Sequence, residues 1–401
     1  MPQNSTPASP MALRTGSTAA EAAAAPLAAP FPAPLDAPLA DVRLAGLGTA
    51  VPPHVLEQDV VEVIAGRILG PRFPDFQRLA RTFTSSGVKT RYSVCPLEWF
   101  QTSQDWPERT ARYLEGATAL FVEAATNALA EAGLAAADVD VVVTVSSTGI
   151  ATPTLEARAF GTMGFRHDIL RVPVFGLGCA GGVSGLAIAQ RLAAASPGST
   201  VLLVCVETCT LAFRDDQLRK ADIIATVLFG DGAAAAVLSS HMPGGPVNGT
   251  NGGNGTTGAP RLGAGVQHIW TDSLNIMGWD VDPTGFGVIF DRSIPPFVTG
   301  EFAGAVDFCL ERMDLTREDI TRYVCHPGGI KVLEAIEATM GLEAGALDHE
   351  RGVIEDFGNM SAPTVLFVLD RFRRTGPRGR VLLTGLGPGF TASMIPLSFD
   401  G

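Results

Sequence analysis

Five consecutive residues, Val141-Val142-Val143-Thr144-Val145, are all β-branched. A run with no polar face reads as a strand buried on both sides, and a chain satisfies that by placing helices over both faces of a sheet. The surrounding sequence supplies such helices. Residues 110–132 carry apolar side chains at helical spacing and stop at Gly133; residues 179–195 do so and stop at Pro197-Gly198. Residues 302–313, 330–340 and 361–372 also read as helices. Short apolar strands are expected at 42–50, 170–175, 200–206, 232–238 and 380–386, with a strand end at 323–325. This alternation predicts an α/β fold with helices layered over sheets.

The 401 residues, 46% of them hydrophobic, suffice for two domains or one large duplicated fold. Residues 1–40 are rich in Ala, Pro, Ser and Thr and are expected to be a disordered arm; 243–260 are almost all Gly, Asn, Thr and Pro and read as a mobile loop. These divide the chain into halves at 41–242 and 261–401. The halves echo each other. Phe229-Gly230-Asp231-Gly232-Ala233 and Leu386-Gly387-Pro388-Gly389-Phe390 each lead into an apolar strand. Cys179 opens one helix, and Asn359 opens another that looks equivalent, so a pseudo-twofold would bring both helix starts to one central site.

A formal net charge of −12 without a long basic run argues against nucleic acid and anionic membranes as partners. An anionic substrate therefore needs a local basic patch. The six cysteines show no framework spacing, and Cys205 and Cys209 lack the second pair that a zinc site requires, so reduced thiols in a cytoplasm are expected. No apolar run is long enough for a membrane span, and no signal peptide is read at the N-terminus.

Three separated segments carry chemistry. Cys179 lies in Phe175-Gly176-Leu177-Gly178-Cys179-Ala180-Gly181-Gly182, His326 in Cys325-His326-Pro327-Gly328-Gly329, and Asn359 in Phe357-Gly358-Asn359-Met360-Ser361. A thiolate attacks acyl carbonyls and forms a thioester that passes the acyl group on; a His shares its proton, and an Asn amide holds a developing oxyanion or enolate. The helix start after Cys179 is expected to lower its pKa. Taken singly, each has a plain alternative: Cys179 as core filler, His326 as a structural residue, Asn359 as a helix cap. Taken in this order they point to acyl transfer through a cysteine thioester.

With these segments, with Phe229-Gly230-Asp231-Gly232-Ala233-Ala234 and with Gly385-Leu386-Gly387-Pro388-Gly389-Phe390, the chain from about residue 42 onward resembles the type III polyketide synthases, the chalcone synthase superfamily of the thiolase fold. The resemblance implies a homodimer of duplicated αβαβα cores with mixed sheets. It implies an acyl-CoA starter loaded on Cys179 and extended by decarboxylation of malonyl-CoA, both thioesters being substrates and no cofactor being needed. In that scheme His326 and Asn359 stabilise the enolate and the oxyanion. Phe229 guards the junction of CoA tunnel and cavity, and Gly385, Gly387, Pro388 and Gly389 form backbone of the cyclisation pocket. Arg78 and Arg81 match positions that contact CoA, whereas a third basic position of the plant enzymes falls on Ser85.

Other positions depart from the plant pattern. Val288 stands where plant relatives have a second gate Phe, and Cys209 and Ala212 stand at two cavity threonines. Trp279, within the bacterial-looking Met277-Gly278-Trp279-Asp280, takes back some volume. The net apolar lining points to a fatty acyl starter and an alkylresorcinol or alkylpyrone product, since each buried methylene contributes about 0.8 kcal/mol. Ser147, Glu207 and Ser361 match a hydrogen-bonding set linked to aldol-type ring closure. The alternatives are a malonyl-primed tetrahydroxynaphthalene-type synthase, a 3-oxoacyl-(acyl-carrier-protein) synthase III-like enzyme, and an inactive thiolase-fold acyl-binding protein.

Overall fold

The computed structural model describes residues 40–73, 76–214, 216, 219–241 and 259–400. Apart from Ala40, Ala259 and Pro260, the arm expected at 1–40 and the loop expected at 243–260 lie outside the described residues.

The Val141–Val145 run is a strand buried at every position. It lies parallel to Thr200–Thr208, which pairs antiparallel with Asp231–His241, which pairs antiparallel with Asp41–Ala50. The second half repeats the pattern. Arg322–Cys325 runs parallel to Gly379–Gly387, which pairs antiparallel with Thr391–Phe399, which pairs antiparallel with Arg261–Leu262 and Val266–Ile269. Arg261–Leu262 also pairs with Asp41–Ala50, so the two half-sheets join into one ten-stranded sheet, with Leu170–Val174 at one end and Arg322–Cys325 at the other. The duplication expected from the glycine motifs is therefore visible in strand order and direction.

Side-chain alternation sorts the strands into layers. Val141, Val143, Val145, Leu203 and Cys205 face a central core shared with Val381, Leu383, Ile395 and the helices Gly181–Ala195 and Thr364–Arg373. Val142, Leu202 and Val204 face the opposite way, onto Tyr113, Leu120 and Phe121 of the helix Trp106–Ala132. In the second half Leu382 and Met394 turn outward onto Val306 and Leu333 of the helices Ile294–Arg312 and Ile330–Met340. The order is helix, sheet, helix, sheet, helix. Phe121 is fully buried, and truncating such a side chain costs about 3–5 kcal/mol. The central helices approach closely because residue 182 is glycine: a Cβ there would stand 2.3 Å from the carbonyl oxygen of Ala362.

Two helix boundaries differ from expectation in ways that matter for the site. Cys179 does not open the long helix; it sits in a 3-10 turn, Gly178–Ala180, and the helix begins at Gly181. Asn359 does not cap a helix, because the helix expected from 361 starts at Thr364. Its backbone instead forms an isolated parallel bridge with Phe229.

Candidate active site

The strand Leu170–Val174 delivers the chain to the Cys179 turn, and the second half supports that turn from below. Gly387 makes the approach possible: a Cβ there would lie 2.6 Å from both the Ala180 nitrogen and the Leu177 oxygen. Gly385 sits against the Cys179 carbonyl and Pro388 against Gly178. Thus Gly385 and Gly387, expected at a cyclisation pocket, pack under the cysteine turn, and Pro388 reaches the cavity above it. The hydroxyl of Ser147 holds the other side, accepting from the N–H groups of Gly176 (3.1 Å) and Gly178 (3.2 Å).

Cys179 is buried, and burial pushes its thiol up to about 11. The Glu207 carboxylate adds to the rise, while hydrogen bonds to Ser361 and Asn359 pull the other way. The lowering expected from the helix start does not prevail, because removal from water penalises the thiolate more than the helix start and its two hydrogen bonds favour it. Asn359, fully buried, thereby stands at the sulfur. Its Oδ1 accepts from Ser361 N–H at 2.8 Å, and its Nδ2 donates to Gly328 O at 3.4 Å, inside the turn that carries His326. His326 N–H donates to Thr384 O at 2.8 Å, fixing its backbone to the neighbouring strand. Both ring nitrogens of His326 are buried without a hydrogen-bond partner among the described residues, and burial takes the ring down to about 3. Burial thus favours the neutral thiol at Cys179 and the neutral imidazole at His326. Polar atoms left open at such a site are what a general base and an oxyanion donor require.

A cavity of about 450 Å³ lies over Cys179, lined by Cys209, Phe229, Val288, Trp279, Ser361, Ser147 and Pro388, with Thr148, Met277 and Phe290. Trp279 is pinned by its indole N–H donating to Ser147 O at 2.7 Å. Ala212 does not line this cavity. It faces a neighbouring one of about 370 Å³ with Trp106 and Tyr113, on the far side of Thr148, because the Cys209–Ala212 turn points its two ends into different spaces. A third cavity of about 540 Å³ shares Cys209 and Phe229 with the first, and its wall is mostly apolar: Leu56, Val61, Ile64, Ile68, Phe100 and Phe213 among others.

Glu207 is fully buried behind the site, and burial lifts its carboxyl to about 7. Its Oε2 accepts from Ser147 N–H at 2.9 Å and from the Thr148 hydroxyl at 2.7 Å. The set Ser147, Glu207 and Ser361 is thus not one chain of side-chain hydroxyls. Thr148 carries the contact to Glu207, the Ser147 hydroxyl holds the cysteine loop, and Ser361 serves the sulfur.

Arg78 and Arg81 are exposed on the helix Phe76–Ser85. Thr82 and Ser85, on the same helical stripe at spacings of three and four, line a concavity of about 850 Å³. Arg292 and Lys331 line it too, as do Leu228, Phe290, Gly328 and Gly329. Phe290 also lines the Cys179 cavity, so this concavity adjoins the site. Sequence reasoning missed Phe290, Thr148, Arg292 and Lys331. The two cations carried a signal, since each stands within five residues of a residue that had been singled out, Val288 or His326.

Among the described residues no group of His, Cys, Asp and Glu could hold a metal ion, and no helix is long and apolar enough to cross a membrane. All six cysteines are free and buried.

Comparison with known proteins identifies the family. Residues 39–242 match the family model for the N-terminal domain of chalcone and stilbene synthases, and residues 261–396 match that for the C-terminal domain. A 1,3,6,8-tetrahydroxynaphthalene synthase of Streptomyces peucetius subsp. caesius is 38% identical over 359 residues, covering 88% of this chain and 92% of the relative. A 3,5-dihydroxyphenylacetyl-CoA synthase of Amycolatopsis balhimycina is 30% identical, covering 88% and 91%. The crystal structure of the 1,3,6,8-tetrahydroxynaphthalene synthase of Streptomyces coelicolor A3(2) matches with a TM-score of 0.81 at 27% identity, over 90% of this chain and 99% of that one. With both family domains matched in order around a buried Cys179, His326 and Asn359, the chain belongs to the chalcone and stilbene synthases, and is a type III polyketide synthase.

Proposed function

We propose that this synthase is primed by a fatty acyl-CoA, extends it with malonyl-CoA on Cys179, and closes the product to an alkylpyrone or alkylresorcinol. The observation that carries the choice of starter is the apolar cavity of about 540 Å³ that meets the Cys179 cavity at Cys209 and Phe229. A tail lying there would gain about 0.8 kcal/mol per buried methylene.

In this reading the Cys179 sulfur attacks the starter thioester while His326 accepts the thiol proton. The carbon–sulfur bond to CoA breaks, and the proton goes to the departing CoA thiolate. Malonyl-CoA then occupies the site and loses carbon dioxide, which leaves charge on its thioester oxygen. Neutral His326 and the Asn359 amide donate to that oxygen more strongly than to the ground state. The enolate carbon attacks the acyl group on Cys179, and the sulfur is free for the next round. The CoA phosphates would lie by Arg78 and Arg81 with Arg292 and Lys331 across the same concavity. The enzyme would act as a homodimer in the cytoplasm, joined at the end strand Leu170–Val174, where Leu170, Phe175 and the nearby Ile150 are each more than half exposed.

A second reading, a tetrahydroxynaphthalene-type synthase that takes malonyl-CoA as its own starter, is favoured by the 38% identity to the 1,3,6,8-tetrahydroxynaphthalene synthase of Streptomyces peucetius subsp. caesius. One experiment separates them. The enzyme is given malonyl-CoA with acyl-CoA starters from two to about sixteen carbons, a range over which each methylene adds a readable gain, and products are read by mass. A rising kcat/KM with chain length, reversed by Cys209→Phe, supports the fatty starter. Efficient self-priming by malonyl-CoA with no benefit from longer chains overturns it.

A further inference from the structure

Glu350 is a fully buried carboxylate that the mechanism does not use. It lies on the helix Asp348–Phe357, which runs directly into Gly358 and Asn359. Its partner lies on the strand Arg322–Cys325, which runs directly into His326. That strand ends the sheet, and His326 N–H points inward to Thr384 O, so the alternating N–H of Cys325 faces away from the sheet. Glu350 Oε1 accepts from it at 3.0 Å. The other oxygen has Arg322 Nη2 at 3.7 Å, and that guanidinium sits 5.3 Å over the ring of Phe372. One residue on, Arg351 grips Glu337 of the preceding helix, Ile330–Met340, through two bonds of 2.7 and 2.6 Å.

Two ties therefore join the segment of Asn359 to the segment of His326. Asn359 itself reaches Gly328, and Glu350, more than two helical turns back, reaches Cys325. A rigid helix held at both ends fixes the spacing of what it carries. We propose that Glu350 is a positioning residue that sets His326 against Asn359, so that both donors meet the same enolate oxygen. This rests on the reading that His326 and Asn359 act on that oxygen. What the position demands is an acceptor at the right reach. Burial lifts the Glu350 carboxyl to about 7, so the neutral form is already well populated near neutrality.

The test sets reach against charge in the full-length enzyme. Glu350→Gln keeps an acceptor oxygen at the same reach without charge. Glu350→Asp keeps the charge one methylene short. Malonyl-CoA decarboxylation is measured for both, with the active fraction fixed by alkylation of Cys179. Misplacing a catalytic group by about 1 Å costs up to about a hundredfold, so Glu350→Asp should lose about tenfold or more in kcat with KM for malonyl-CoA within about twofold, and Glu350→Gln should stay within about threefold of native. A merely structural role would shift thermal stability without splitting kcat from KM. A native kcat in Glu350→Asp, or a loss in Glu350→Gln as large as in Glu350→Asp, overturns the proposal. His326→Ala run alongside keeps the two ideas apart. A slow His326→Ala beside a native-rate Glu350→Asp rejects only the positioning role, whereas a native-rate His326→Ala rejects the role of His326 and the positioning with it.

Discussion

The backbone of Asn359 is bonded on both sides of Phe229: Asn359 N–H donates to Leu228 O at 2.7 Å, and Gly230 N–H donates to Asn359 O at 3.1 Å. The proposed oxyanion donor and the aromatic wall of the cavity are thus set by one parallel bridge between the two halves of the chain. Neither side chain takes part in that bridge. Arg91, itself buried, adds a further hold on Phe229 O at 3.0 Å. Side-chain substitutions at 229 or 359 should therefore leave this bridge in place.

His326→Ala and Asn359→Ala should each slow malonyl-CoA decarboxylation by about 10²–10³-fold, the usual loss of one oxyanion donor. Asn359→Ala also frees Ser361 N–H, so its effect should be the larger on Cys179 acylation, read by intact mass. Near-native rates in both variants would remove these residues from the charge-stabilising role.

The layered α/β fold was legible because Val141–Val145 is an unbroken β-branched run with no polar face, which demands cover on both sides; in the fold Val141 and Val143 go one way and Val142 the other. The candidate residues Cys179, His326 and Asn359 stood out because their glycine-rich neighbours mark places where two backbones come close, as Gly387 does against Ala180. What was not legible depends on direction. Ala212 stands three residues from Cys209, and the 3-10 turn between them sends them into different cavities. The pKa of Cys179 was misjudged for a similar reason. A helix start can be seen in a sequence, but the depth of burial that outweighs it comes from the other half of the chain.

The substrate-free enzyme should show no thiolate plateau near neutrality. Burial holds Cys179 up to about 11 and His326 down to about 3. Alkylation of Cys179 by iodoacetamide should then rise steadily with pH between 6 and 9, by about tenfold per unit, as expected of a thiol titrating above that window. The sign follows from the thiol: a raised value means that the reactive form is scarce below it and grows as pH climbs. A rate already flat at pH 7 would mean that a thiolate–imidazolium pair exists at rest and would refute the neutral resting site.

Leu170, Phe175 and Ile150 are 53%, 56% and 56% exposed beside the strand that ends the sheet among the described residues, and such an edge is open to pairing with a second copy. Native mass spectrometry should find a dimer. Leu170→Lys combined with Phe175→Lys should shift it toward monomer at micromolar protein. A native chain that stays monomeric would reject this edge as an interface.

Ser85 lines the concavity that adjoins the Cys179 cavity. Plant relatives have a cation where this chain has Ser85, yet Arg292 and Lys331 enter the same space from other elements. If they meet the CoA phosphates, Lys331→Ala and Arg292→Ala should raise KM for malonyl-CoA and leave kcat near native, because phosphate contacts are made equally in ground and transition states. A partly exposed ion pair is worth about 0.2–1 kcal/mol, so each single change should raise KM by roughly 1.4- to fivefold, and the effect should shrink with added salt. The control is a malonyl thioester of N-acetylcysteamine, which has no phosphates. Its kinetics should be the same in native enzyme and variants. Equal losses on both thioesters would mean that Lys331 and Arg292 act through the fold of the tunnel. No loss on malonyl-CoA would leave Arg78 and Arg81 as the cations that carry the contact.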